Sequence, residues 1–156
     1  EEQLGQINAI LSRLMTDSNA RASFLIDRNG QQLAAVGDDL ETIDPTSLAS
    51  LTAGNVASTD AIARLIGEKE FSAMVHEGAR DSRHISVVNR RIILLVLFGE
   101  RSSLGLVRLR VRRASSDLVE VFESLDQRQA QEMARGEAGI SPFAEITDDD
   151  IDSLFS

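Results

Sequence analysis

Two histidines, four closely spaced arginines and a run of three aspartates are the residues of this chain whose types and spacing could do chemistry. His76 precedes Glu77, and Asp81 lies three positions before His84. Imidazoles with carboxylates can hold a metal ion, but this spacing matches no established ligand pattern. Both histidines therefore read as solvated polar residues on a strand and its turn. The chain has no Cys, which removes thiolate nucleophiles, thiolate metal sites and disulfides. No Ser/His/Asp set is credible. The stretch GNVAST lacks both the lysine and the preceding strand that a phosphate-binding loop needs. No catalytic residue, cofactor or metal is expected, and the chain is not read as an enzyme.

Arg108, Arg110, Arg112 and Arg113 are the densest basic cluster. One use is an arginine finger for a nucleotide-hydrolysing partner. Nucleic-acid contact is another, and a solvated helix face near the acidic segments 117–123 and 148–152 is the plainest. A formal net charge of −9 argues against general binding to nucleic acid or anionic membranes. Asp148, Asp149 and Asp150 lack the alternating ligands and turn glycine of a calcium loop. They suit the first turn of a helix capped by Thr147, where the helix dipole favours negative charge. Ile146 and Ile151 then form a hydrophobic staple across that turn. Ile151, Leu154 and Phe155 fall at i, i+3, i+4, the arrangement by which a short helix presents anchors to a groove. Phe143, after Pro142, adds a fourth.

These residues need elements to position them. Leu4, Ile7, Ile10, Leu11 and Leu14 predict a helix over 1–17. The apolar runs on either side of Asn29-Gly30 predict strands at 22–28 and 31–37 joined by that turn. Asp44 caps, and Pro45 opens, a long helix to about Gly67. FSAMVHEG, RHISVVN and RIILLVLFG predict three strands, the last central because it is apolar on both faces. The segment LVRLRVR alternates like a strand. However, Leu104, Val107, Val111, Ala114, Leu118, Val121, Phe122 and Leu125 recur at helical spacing over a longer span. One helix over 103–132, capped by Ser102 or Ser103, follows.

The predicted class is α+β: one five-stranded antiparallel sheet with helices on both faces, in the order α-β-β-α-β-β-β-α. Residues 1–132 make the domain, 133–142 a flexible linker, and 143–156 a partner-binding helix. The longest apolar run, Ile92 to Phe98, is far short of the ~20 residues needed to span a bilayer, so no membrane insertion is expected. The absence of Cys suits a reducing cytoplasm. Glu1 rather than Met opens the sequence, so native residues are expected to precede it.

The middle helix carries two apolar faces. One bears Leu48, Leu51, Ile62, Leu65 and Ile66, and is expected to lie on the sheet. The other bears Ala49, Ala53, Ala57 and Ala61 at i, i+4 spacing, with Gly54 beside them. Such a face could pack flat on the chain's own sheet, where close approach favours Ala. The other face is already apolar and can do that, so a second face of small uncharged residues predicts close approach by another chain.

DPTSLASLTAGNVAS, HEGARDS, SSLGLVRLR and the terminal SPFAEITDDDIDSLF together resemble the roadblock/dynein light chain family. The resemblance implies five antiparallel strands between helices, and a homodimer formed through the long middle helix and an adjacent edge strand. It further implies a small Ras-like GTPase as partner, bound in its GTP state. Hydrolysis would be accelerated by remodelling the partner's switch regions, without a donated arginine. By position, Gly54, Ala57 and Ala61 would face the partner, and Arg112 and Arg113 would add a second contact. Ala49, Ala53 and Ala57 would lie at the dimer interface, and Phe143, Ile146, Ile151, Leu154 and Phe155 would dock on the GTPase and promote nucleotide exchange. Thr59-Asp60-Ala61 stands where the family pattern is richer in glycine. Control of cell polarity and motility from the cytoplasm, with enrichment at a cell pole, is the process implied. The alternative is a roadblock scaffold with no GTPase-activating activity.

Overall fold

The computed structural model describes residues 2–69 and 73–135. The chain divides into two units, Glu1–Val119 and Glu120–Ser156. In the second, the described residues are helical as far as Arg135. The expected helix over 143–156, with its five named contact residues, lies outside the described residues, as does all but the first three residues of the expected linker.

Helix α1 runs from Glu2 to Ser18 and buries Ile7, Leu11 and Leu14, the stripe expected of it. Strands β1 (Ala22–Asp27) and β2 (Gln32–Gly37) follow. Their connection is one residue longer than Asn29-Gly30 alone predicts. The Gly30 N–H donates to the Asp27 carbonyl at 3.1 Å and the Asp27 N–H to the Gln31 carbonyl at 2.9 Å. Within this connection only Gly30, at φ 90°, enters the left-handed region. The loop is therefore Arg28-Asn29-Gly30, a three-residue turn closed by a left-handed glycine, in place of a two-residue turn. The Asp27 side chain favours it by accepting from the N–H groups of Asn29 and Gln31, both at 2.9 Å.

Helix α2 spans Pro45–Leu65, and Asp44 caps it by accepting from Thr46 and Ser47. These bonds, the Ser47 hydroxyl foremost, hold the Asp44 carboxyl below its usual range. At the other end Gly67 adopts φ 86°. The Glu68 N–H bonds the Ala63 carbonyl at 2.8 Å and the Gly67 N–H bonds that of Arg64 at 3.3 Å, which closes the helix in a Schellman motif. Strands β3 (Ala73–Glu77), β4 (Ser82–Asn89) and β5 (Ile92–Phe98) come next, then helix α3 (Leu104–Arg135), whose Ser103 hydroxyl accepts from the Leu106 N–H at 3.2 Å. α3 passes three residues beyond its predicted end.

The sheet order is β2-β1-β5-β4-β3, antiparallel throughout. β5 is central and every residue of it is buried. One row across the sheet reads Ala35, Phe24, Leu95, Ile85, Met74, and these pack with Ala49, Ala53 and Val56 of α2. The adjacent row, Val36, Ser23, Val96, His84, Val75, points to the opposite face by the alternation of strands. α1 and α3 lie on that side. α3 buries Val107, Val111, Ala114 and Leu118 there, and the end of α1 is tied to the start of α3. Ser102 donates to the Ser18 carbonyl at 2.5 Å, and Asn19 donates to the Arg101 carbonyl at 2.9 Å.

His84 departs from expectation. It is 2% exposed, not solvated, because its row lies under the helices. Burial lowers its pKa from 6.5, assisted by the charge of Arg108. Its Nδ1 has no hydrogen-bond partner among the described residues. His76 is half-buried against the Arg83 guanidinium. Among the described residues no group of side chains could hold a metal ion.

Candidate functional site

α2 is the one element in which the structure reverses the reading from sequence. Its buried residues are Ala49, Thr52, Ala53, Val56 and Ala63, all small or β-branched. The cause lies in the sheet. Phe24, Ile26, Ile85, Ile93 and Leu95 already fill that face with large side chains, so the helix above must contribute small ones to keep native packing density. Ala49 (2% exposed) and Ala53 (9%) thus belong to the domain's own core and do not offer a surface to a second chain. Of the face expected on the sheet, only Leu48 packs there, and partly. Leu51 is 70% exposed, Ile62 56%, Leu65 85% and Ile66 72%.

Gly54, Ala57 and Ala61 are exposed too, and a Cβ at Gly54 would meet no atom within 4 Å. At 100° per residue, Leu51, Gly54, Ser58, Ile62 and Leu65 form one stripe, with Ala57 and Ala61 along its side. Between Asp44 and Glu68 the only charged residues are Asp60 and Arg64, and Asp60 is turned to the sheet side. The outward face is therefore apolar, nearly uncharged and low in relief at its middle. Each large side chain on it would gain about 1.5–3 kcal/mol if fully buried. A contiguous exposed apolar face of this size is uncommon on a soluble domain that stands alone.

Arg112 and Arg113 are exposed on α3, across the sheet from α2. The structure does not bring them next to Ala57 and Ala61. Arg113 instead borders a shallow groove between α1 and α3, with Arg13, Asp17, Arg110 and Asp117. An open depression of about 590 Å³ at one end of the sheet is lined by mixed charges, including the Arg21–Asp81 pair at 2.5 Å, and holds none of the expected contact residues. Among the described residues no helix is long and apolar enough to cross a membrane. Sequence reasoning missed the exposed Leu51, Ile62 and Leu65 and the ion pair of Asp60 with Arg28. The alternative set aside, that small residues favour close packing of a helix on its own sheet, is the one the structure bears out.

A five-stranded antiparallel sheet with one helix on one face and two on the other, in this order, defines the roadblock class. Residues 6–98 match the Roadblock/LC7 domain, and the chain belongs to that family. Within it the chain is similar to MglB. The Myxococcus xanthus MglB structure shares 52% identity and a TM-score of 0.76, over 80% of this chain and 93% of that one. The gliding protein MglB of Thermus thermophilus shares 32% identity and a TM-score of 0.73 over the same proportions. A structure described as MglB with tetrameric arrangement shares 31%. MglC of Myxococcus xanthus, at 12% identity and a TM-score of 0.51, shares the fold alone. No curated protein sequence matches the chain.

Proposed function

We propose that this protein is a homodimeric regulator of a small Ras-like GTPase of the MglA kind, bound in its GTP state. The observation that carries the reading is the outward face of α2, apolar and nearly uncharged, on a chain 52% identical to Myxococcus xanthus MglB. Two copies pair through that face around Leu51, Ile62 and Leu65, with the edge strand β3 beside it. Ala57 stays at the margin of the pairing, while the buried Ala49 and Ala53 act only through the placement of α2. Gly54, Ala57 and Ala61 then supply the low-relief surface that receives the GTPase. Arg112 and Arg113 make a separate contact.

Hydrolysis is stimulated by holding the partner's switch regions in their reactive arrangement. A phosphoryl-transfer site needs positioning and electrostatic stabilisation, and both can come from residues the GTPase already owns. The chain itself then contributes no catalytic residue. The segment 143–156 adds a tethered second contact that tightens the complex and favours nucleotide exchange. The protein acts in the cytoplasm, concentrated at a cell pole, in the control of polarity and motility.

GTP turnover by such a GTPase, measured with and without this chain, tests the reading. Stimulation dependent on the α2 face is expected. Turnover unchanged at saturating protein overturns it and leaves a roadblock scaffold.

A further inference from the structure

α2 is attached to the sheet unevenly. Its first half buries Ala49, Thr52, Ala53 and Val56, whereas from 57 to 65 only Ala63 is buried. A single methyl group holds little by hydrophobic attraction. Two polar contacts supplement it. The Thr59 hydroxyl lies 3.5 Å from Met74 Sδ on β3, but it also donates to the Asn55 carbonyl at 2.8 Å, and a thioether is a weak acceptor. The stronger contact is from Arg28, whose guanidinium donates to Asp60 Oδ2 at 2.7 Å. The Asp60 side chain is only 15% exposed, so this charge-assisted bond is poorly screened.

Arg28 is itself fixed. Its backbone N–H donates to the Arg91 carbonyl at 3.1 Å, and the neighbouring Gly30 is pressed against α2, where a Cβ would come 3.1 Å from Ser50 Cα. The β1–β2 loop thereby grips α2 at Ser50 and again at Asp60. Arg28 Nε and Asp60 Oδ1 are both buried without a partner among the described residues. A pair joined by one bond where two could form is sensitive to small movements of either element.

We infer that Arg28 and Asp60 are a positioning pair for the partner contact: they set where the second half of α2, with Ala57 and Ala61, stands above the sheet. Ala61 follows Asp60 directly and Ala57 is three residues before it, so a shift at Asp60 moves both. This rests on the reading that this face receives a GTPase. It matters more in that mechanism than in one with a donated arginine, because a contact that acts by shape depends on placement at the ångström scale.

The test compares the full chain with its Asp60→Asn and Arg28→Lys variants. Each is titrated against a small Ras-like GTPase loaded with a non-hydrolysable GTP analogue. Stoichiometry, turnover at saturation with GTP, and hydrogen exchange of the α2 amides are recorded alongside. Asp60→Asn is expected to weaken affinity roughly tenfold, the effect of losing one partner of a buried charge-assisted bond. Stoichiometry should stay unchanged, saturated turnover should fall along with affinity, and exchange should rise over 57–65. Arg28→Lys, which keeps the charge but loses the planar fork, should weaken affinity by about threefold. A merely structural role would instead lower the competent fraction and leave the affinity of the remainder intact. Affinities within twofold of the parent chain for both variants, or loss confined to the competent fraction, overturn the inference. If the parent chain itself fails to bind, the functional reading falls and this inference with it. Binding by the parent with unaltered variants removes the inference alone.

Discussion

An arginine placed at Ala49 meets surroundings unlike those of arginines placed at Ala57 and Ala61. Ala49 is 2% exposed, among Phe24, Ile26, Ile93 and Leu95. Overpacking there costs about 1–3 kcal/mol, and a buried unpaired charge costs about 3–5 kcal/mol more. The sum, roughly 4–8 kcal/mol, rivals the whole stability of an ordinary domain, about 5–15 kcal/mol. At this chain length 1 kcal/mol moves the Tm by about 2–4 °C, so Ala49→Arg should melt at least about 8 °C below the parent or fail to fold. Ala57 and Ala61 are exposed, and surface changes fall within about 0.5 kcal/mol, or roughly 2 °C. The double variant Ala57→Arg with Ala61→Arg should therefore fold normally and lose GTPase stimulation, because a long cation cannot sit in a low-relief contact. Circular-dichroism melts at matched concentration, with GTP turnover beside them, separate the cases. A parent-like melt for Ala49→Arg would mean that the inward face is misassigned. A double variant melting roughly 10 °C low would make Ala57 and Ala61 core, and one that stimulates normally would remove them from the contact.

His84 should make the fold acid-sensitive. Burial, then Arg108, lowers its pKa from 6.5, so on acidification the unfolded chain takes up the proton first. Stability is then full above about pH 6.5 and falls as the pH drops from there toward the folded pKa, by at most about 1.4 kcal/mol per pH unit. Urea unfolding at pH 7.5 and 5.5 should show this slope, and His84→Leu should flatten it; an equal slope in the variant would clear His84 of the effect. Arg101, Arg108, Arg110, Arg112 and Arg113, replaced singly by Ala, should each leave saturated turnover within tenfold. A loss of about 10³–10⁵ would reveal a donated finger. A chain ending at Gly139 should keep its fold and dimer mass but bind the GTP-loaded partner more weakly and release labelled nucleotide from it more slowly. Equal release and affinity would mean that 143–156 is no partner helix.

How much of this was legible depended on whether the deciding physics was local. Asp44-Pro45 marks the start of α2 to the residue, because capping is settled within one turn. The seven apolar residues from Ile92 to Phe98 announce a central strand, since only a strand covered on both faces tolerates such a run. The orientation of α2 was not legible. Both of its sides are apolar, and which one turns inward is decided by Phe24, Ile85 and Leu95, brought together only by the sheet. The same holds for His84, whose burial follows from its row beneath α1 and α3. Asn29-Gly30 marked a hairpin correctly, while the loop length was set by the Asp27 side chain capturing two N–H groups. The Arg28–Asp60 pair joins residues 32 apart, and nothing in either neighbourhood points to the other.

The strand order also bears on how the chain is made. β1 lies between β2 and β5, so the first hairpin exposes one edge of an apolar strand until Phe98 has been synthesised. Seventy-one residues, Arg28 to Phe98, are added after Asp27 before β5 is complete. At about 5–20 residues per second the ribosome needs roughly 4–14 s to supply them, far longer than the microseconds in which the hairpin itself can close. For that interval Phe24, Leu25 and Ile26 have no permanent cover, and the nascent chain carries a sticky strand edge. Delivery of β5 both fills the gap and joins the two halves of the sheet, so the domain should gain its cooperativity in one late step. Arrested chains ending shortly before Ile92 should be protease-sensitive throughout, and those extended through Leu118 protected.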